Sequence, residues 1–155
     1  MNVLAIDPGN IDSAYVLYDT ETPVILDKMK LGNNDLMSWM VEGHVHEIPY
    51  EHCAIEMIAS YGMPVGKEVF ETCLWIGRYI QACNHQKIKH SLIYRKDVKV
   101  HLCQSMKAKD GNIRQALIDR FGAPGTKKQP GFTYGVSKDI WAALAVAVTF
   151  SEAKP

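Results

Sequence analysis

The 155 residues contain no Cys-x-x-Cys pair, no apolar run of bilayer-spanning length and no net charge. Each absence excludes something. The four cysteines, Cys53, Cys73, Cys83 and Cys103, lie far apart, so neither a zinc knuckle nor a redox pair is expected. Buried free thiols in a reducing compartment are the simpler reading. No stretch reaches the roughly 20 apolar residues of a transmembrane helix, so no membrane association is expected. The opening "MNVLAIDPGN" has no basic flank and too short an apolar stretch for a secretory signal, which points to the cytoplasm. The glycines of "PGN" and "YGMPVG" are not followed by Lys-Ser/Thr and do not form Gly-x-Gly-x-x-Gly, so no nucleotide cradle is read. There is no internal repeat, linker or low-complexity segment, and the length is that of one domain, residues 1–155.

The charge that is present is unevenly placed. Lysine and arginine number 17 and so do aspartate and glutamate, yet the segment from Lys87 to Lys128 carries a net +8. The remainder therefore carries −8. A neutral total hides a basic half suited to an anionic polymer and an acidic half suited to metal.

Hydrophobic patterning predicts an α/β protein. "NVLAID", "SAYVLYD" and "PVILDKMKL" read as three successive strands, the first two joined as a hairpin through "PGN". "NNDLMSWMVEG" reads as a short helix opened by a capping Asn or Asp, and "HVHEIPYEH" as loop. "CAIEMI" is expected to be a central strand. The helix "KEVFETCLWIGRYIQACN" follows it, with Val69, Cys73, Ile76, Ile80 and Cys83 on one face. "KHSLIYR" is a fifth strand, "KDVKVHLCQ" and "KDGNIRQALIDRF" are two helices, and a Gly/Pro-rich loop leads to a last helix, "VSKDIWAALAVAVTF". Its alanines, Ala142, Ala143, Ala145 and Ala147, leave room for close packing on the sheet. The whole reads as a mixed sheet flanked by helices.

Three acids stand where these elements begin or end. Asp7 closes the first strand before a Pro-Gly turn, Glu56 interrupts the apolar "AIEMI", and Asp139 opens the last helix. Singly, Asp7 is explained as a turn former and Asp139 as a complement to the helix dipole. Glu56 is not so easily explained, because an acid within an apolar strand costs several kcal/mol unless paired or bound to a cation. If the first and fourth strands are neighbours and the last helix crosses them, the three carboxylates meet. Hard oxygen ligands without His or Cys suit Mg²⁺ or Mn²⁺. His44, His46, His52 and Cys53 lie close in sequence, but no second cluster completes a zinc site, and polar loop residues are the preferred reading.

Taken together, "LAIDPG", "AIEMI" and an Asp heading "ALAVAVT" resemble the RuvC family of Holliday junction resolvases, within the ribonuclease H-like superfamily. The likeness runs from Met1 to about Phe150 and is most marked with relatives from phages of Gram-positive bacteria. It implies a five-stranded mixed sheet, a homodimer, and two-metal hydrolysis of phosphodiesters in branched DNA. Asp7, Glu56 and Asp139 would hold the metals, and Lys109 would steady charge on the phosphate. Lys99 and Lys109 match basic positions of the family, and Lys99, Lys107, Lys109 and Arg114 are expected to contact DNA. The resemblance also implies an aromatic wedge at the junction centre, for which Tyr61 is the better candidate. Phe70, inside a helix, is expected to pack at a core or dimer face.

One departure matters. The family has a second acid one turn along the last helix, where this chain has Ala142. Two readings follow: a nuclease that works with three acids, or a branched-DNA-binding protein with weak or no cleavage. A sugar-kinase or actin-like ATPase fragment also begins with an apolar strand, Asp and Gly, but 155 residues leave no room for its paired domain.

Overall fold

The computed structural model describes residues 1–153. The chain runs β1 (Asn2–Asp7), β2 (Asp12–Asp19), β3 (Val24–Gly32), α1 (Asn33–Met40), β4 (His44–Val45), β5 (Ile48–Pro49), β6 (His52–Met57), α2 (Lys67–His85), β7 (Lys89–Tyr94), α3 (Arg95–Cys103), α4 (Asp110–Phe121) and α5 (Asp139–Glu152). The main sheet has the order β3-β2-β1-β6-β7. β1, β2 and β3 pair antiparallel, whereas β1–β6 and β6–β7 are parallel. The expected mixed five-stranded sheet is therefore present, and β1 and β6 are neighbours. Among the described residues no helix is long and apolar enough to cross a membrane.

Strand alternation divides the core into two layers. Leu4, Ile6, Tyr15, Leu17, Cys53 and Ile55 face α1 and α2, where they meet Leu36, Met40, Ile76 and Tyr79. Val3, Ala5, Ala14, Val16 and Ala54 face the other way, toward α3, α4 and α5. That second layer is made of small side chains on both sides. Ala5, Ala14 and Ala54 of the sheet oppose a helix in which Ala143, Ala145 and Ala147 are wholly buried. From Trp141 to Thr149 only Ala142 is partly exposed, so α5 is a core helix, apolar all round.

Several local expectations differ from the structure. The buried stripe of α2 is Thr72, Ile76, Tyr79, Ala82 and Cys83, while Val69, Cys73 and Ile80 are only half-buried. The helix is rotated to bury Tyr79, whose hydroxyl has partners inside the protein. Cys53 and Cys83 are buried thiols, but Cys73 and Cys103 are half-buried. "HVHEIPYEH" is not all loop: β4 and β5 form a two-residue hairpin, and His52 begins β6. Arg95 belongs to α3 rather than to the strand before it.

Asn33 is the most informative difference. It does not cap α1, which has no side-chain cap; instead its side chain turns inward and is almost fully buried. Asn33 Nδ2 donates to the Gly9 carbonyl at 2.9 Å, and its Oδ1 accepts from Ser13 Oγ at 2.6 Å and from the Tyr79 hydroxyl at 3.0 Å. The Gly9 amide donates to Ser13 Oγ at 3.3 Å. This network fixes the turn that follows Asp7. A Cβ on Gly9 would lie 2.2 Å from the Asp12 carbonyl oxygen, so only glycine fits there. Replacing Asn33 by Ala strands the Gly9 carbonyl, Ser13 and Tyr79 without their shared partner. Asn33→Ala is expected to cost about 2–4 kcal/mol, read as a lower urea midpoint at unchanged m-value.

Candidate active site

The C-terminal ends of the parallel strands bring chemistry to one edge of the sheet. The last paired residues of β1 and β6 are Ile6 and Ile55, so Asp7 and Glu56 follow in register as neighbours. Ile6 and Ile55 face α2, so Asp7 and Glu56 point to the opposite layer, beneath α5. Asp139 is the first residue of α5. The three acids thus share one sheet end and one face. Their charges reach one another: Glu56 and Asp139 both raise the pKa of Asp7, and Asp139 raises that of Glu56.

Burial dominates at Asp7 and at Glu56. Burial is the largest cause of the shift at Asp7, and repulsion from Glu56 and Asp139 adds to it, raising its pKa from 3.8 to about 7. Burial likewise raises the pKa of Glu56, opposed by the Arg95 guanidinium. Asp139 is open to solvent, with its side chain 52% exposed.

Two cations stand among these acids. Lys30 Nζ donates to Asp139 Oδ2 at 2.7 Å. Arg95 Nη1 lies 3.7 Å from Glu56 Oε2, an ion pair too long to be a hydrogen bond, and Arg95 also contacts Asp110. Glu56 Oε2 is buried with no hydrogen-bond partner. A buried carboxylate oxygen with a long ion pair and no hydrogen bond, near a second carboxylate whose ionisation is opposed, fits a hard cation such as Mg²⁺ or Mn²⁺. Among the described residues, however, no three His, Cys, Asp or Glu side chains are gathered closely enough to enclose an ion. The acids share a field without forming a ready-made cage.

The other expected residues surround this edge to different degrees. Lys109 is exposed at the start of α4, where its amide donates to Asn112 Oδ1 at 2.9 Å. Lys107 is exposed in the preceding turn, and Lys99 is half-buried on α3, one helical turn beyond Arg95. Arg114 lies over the Trp141 ring, 5.3 Å from its centroid. Tyr61 is 63% exposed in the loop after β6, at φ 49°, beside Gly62 at φ 82°. Phe70 is not in the core: it is 62% exposed near the start of α2, with Leu74 exposed one turn on. The histidines have separate surroundings, His44 beside Glu42, His46 bonded to Asp27 and His52 bonded to Ser91.

Arg95, Lys30 and Asp110 are contributors that the sequence reading missed. The signal for Arg95 was its place directly after a strand adjacent to β6. Lys30 carried none, because it lies on the distant strand β3 and meets Asp139 only in three dimensions.

A pH dependence follows from Asp7. Its folded pKa lies above its unfolded value, so between about pH 4 and pH 7 the folded state holds a proton that the unfolded chain has released. Stability therefore falls as pH rises through that window. With metal removed by EDTA, Asp7→Asn is expected to be more stable than the parent at about pH 8, by about 2–4 kcal/mol, with the advantage fading by about pH 4. Urea unfolding at the two pH values checks this.

No protein-family model matches the chain, and no curated protein matches it. Solved structures do. The structure of Thermus thermophilus RuvC superposes with a TM-score of 0.72 at 16% identity, over 96% of this chain and 92% of that one. Thermus thermophilus RuvC in complex with a Holliday junction substrate gives 0.72 at 15% identity, with the same coverage. Over nearly its whole length the chain has the ribonuclease H-like fold of RuvC.

Proposed function

We propose that the protein is a metal-dependent, structure-selective endonuclease that resolves Holliday junctions and other branched DNA by hydrolysing phosphodiester bonds. The observation that carries this reading is the placement of Asp7, Glu56 and Asp139 on one face at one end of a RuvC-like sheet. Asp7 and Glu56 are ill-disposed to carry charge without a counter-ion. Asp7, Glu56 and Asp139 would hold divalent cations there, which when bound would supply Lewis acidity for hydrolysis at phosphorus.

The chain's own residues then bind and orient the substrate. Lys99, Lys107, Lys109 and Arg114 would take DNA phosphates, giving affinity that depends on salt and little on base sequence. Lys109 would offset negative charge developing on the phosphate. Tyr61, exposed on a turn at the same sheet end, would stack on an unpaired base, a contact worth about 1–3 kcal/mol. A homodimer would present two such sites to opposed strands. The exposed Phe70 and Leu74 on α2 support an interface there.

The competing reading, a branched-DNA-binding protein with little cleavage, is favoured by Ala142, which leaves that turn of α5 without a carboxylate. Cleavage of an end-labelled synthetic four-way junction in Mg²⁺ or Mn²⁺ separates the two. Asp7→Asn is expected to lower cleavage by at least about 10²–10³-fold while junction binding persists. Cuts by the parent chain that vanish in Asp7→Asn establish a three-acid nuclease. Binding without cuts, restored by Ala142→Asp, establishes the disabled form. Lys99→Ala and Lys109→Ala are each expected to weaken binding and to lower the salt slope by about 1. Unchanged binding and cleavage in both would remove the basic face from the account.

A further inference from the structure

Next to the carboxylates lies a cavity of about 270 Å³, lined by Asp110, Gly111, Arg114, Lys138, Asp139 and Trp141. It shares Asp139 with the acidic cluster, so whatever fills it is held against that cluster. Its charges are not equally available. Asp110 is engaged by Arg95, and Asp139 by Lys30 at 2.7 Å. Among the described residues neither Arg114 nor Lys138 has a carboxylate partner. The cavity's two acids are answered and its two bases are not, so it presents positive charge. Arg114 is held in place by its contact with the Trp141 ring, and Trp141 is itself nearly buried. Gly111 leaves the rim open, with no atom within 4 Å of where a Cβ would stand. The volume is at or below the small end of sites for whole small molecules, and suits a sugar-phosphate unit.

Lys138 has a second peculiarity. Its backbone is at φ 46° and ψ −125°, a conformation that L side chains rarely adopt and glycine adopts freely. A lysine therefore stands where the backbone alone would select glycine.

We propose that Lys138 and Arg114 form a phosphate subsite that holds the DNA backbone beside the phosphodiester at the carboxylates, with Lys138 kept, despite its strained backbone, for its ammonium group. The inference rests on the nuclease reading and adds a residue to it. Lys138 fixes where the strand lies relative to Asp139, and Arg114 supplies the second contact from α4.

The test uses a synthetic four-way junction in EDTA, the full chain, and two variants. Lys138→Met keeps the backbone and removes the charge; Lys138→Gly relaxes the backbone as well. Both are expected to bind the junction about tenfold more weakly, with a salt slope lower by about 1. The thermal midpoint should be unchanged in Lys138→Met and unchanged or higher by about 2–4 °C in Lys138→Gly. Parental affinity and slope in Lys138→Met would overturn the subsite. A midpoint several degrees lower in Lys138→Gly would overturn it too, because the lysine would then be serving the fold. Failure of the parent chain itself to bind the junction would instead overturn the nuclease reading on which the subsite rests.

Discussion

The burial of Asp7 and Glu56 at one sheet end, with Asp139 near them, is the constraint around which the rest of the structure is arranged. Two of these carboxylates end adjacent parallel strands on the same face, where burial and one another's charge oppose ionisation. Such a cluster lowers the stability of the metal-free fold at neutral pH, and a fold tolerates that only where other elements hold the groups in place. Arg95 and Lys30 offset part of the charge from α3 and β3. The buried Asn33, Ser13 and Tyr79 network fixes the turn that follows Asp7.

Small side chains make the geometry attainable. An α-helix laid on a sheet ordinarily stands off by the length of the side chains between them. Here alanine meets alanine across the β1, β2 and β6 face of α5, and the first turn of that helix comes to the strand ends. Trp141, the first aromatic residue of the helix, lies where Arg114 rests. The same arrangement that delivers Asp139 thus also builds the cavity next to it. Proximity of the two is a property of one helix, not a coincidence of two loops.

Much of this was legible in the sequence, for reasons that can be named. β1, β6 and α5 are strongly apolar, so the acid that ends β1, interrupts β6 or opens α5 stands out in each, and the burial cost of Glu56 within its strand demands explanation. Strand periodicity then sufficed to put Ile55 and Met57 on the face opposite Glu56. The face of α2 was misread because a hydroxyl decided it: Tyr79 is buried for the sake of Ser13 and Asn33, and hydrophobic periodicity is blind to such partners. Asn33 was misread for the same reason, since a polar residue at a helix start is by local rules a cap. Lys30 and Arg95 were invisible as site residues because their roles depend on which strands become neighbours. The conformation of Lys138 cannot be inferred from its type at all.

The resemblance of this sequence to the RuvC family implies a further acid on α5, where Ala142 stands half-buried. Whether three carboxylates suffice turns on whether they take up a cation. The most direct test is a calorimetric titration of Mn²⁺ into the parent chain and Asp7→Asn at about pH 7.5, repeated in two buffers of different ionisation enthalpy. Saturable binding by the parent, accompanied by proton release and lost in Asp7→Asn, is the expected result. Absence of saturable binding, or equal binding by the two chains, would contradict the assignment of these acids as a metal centre.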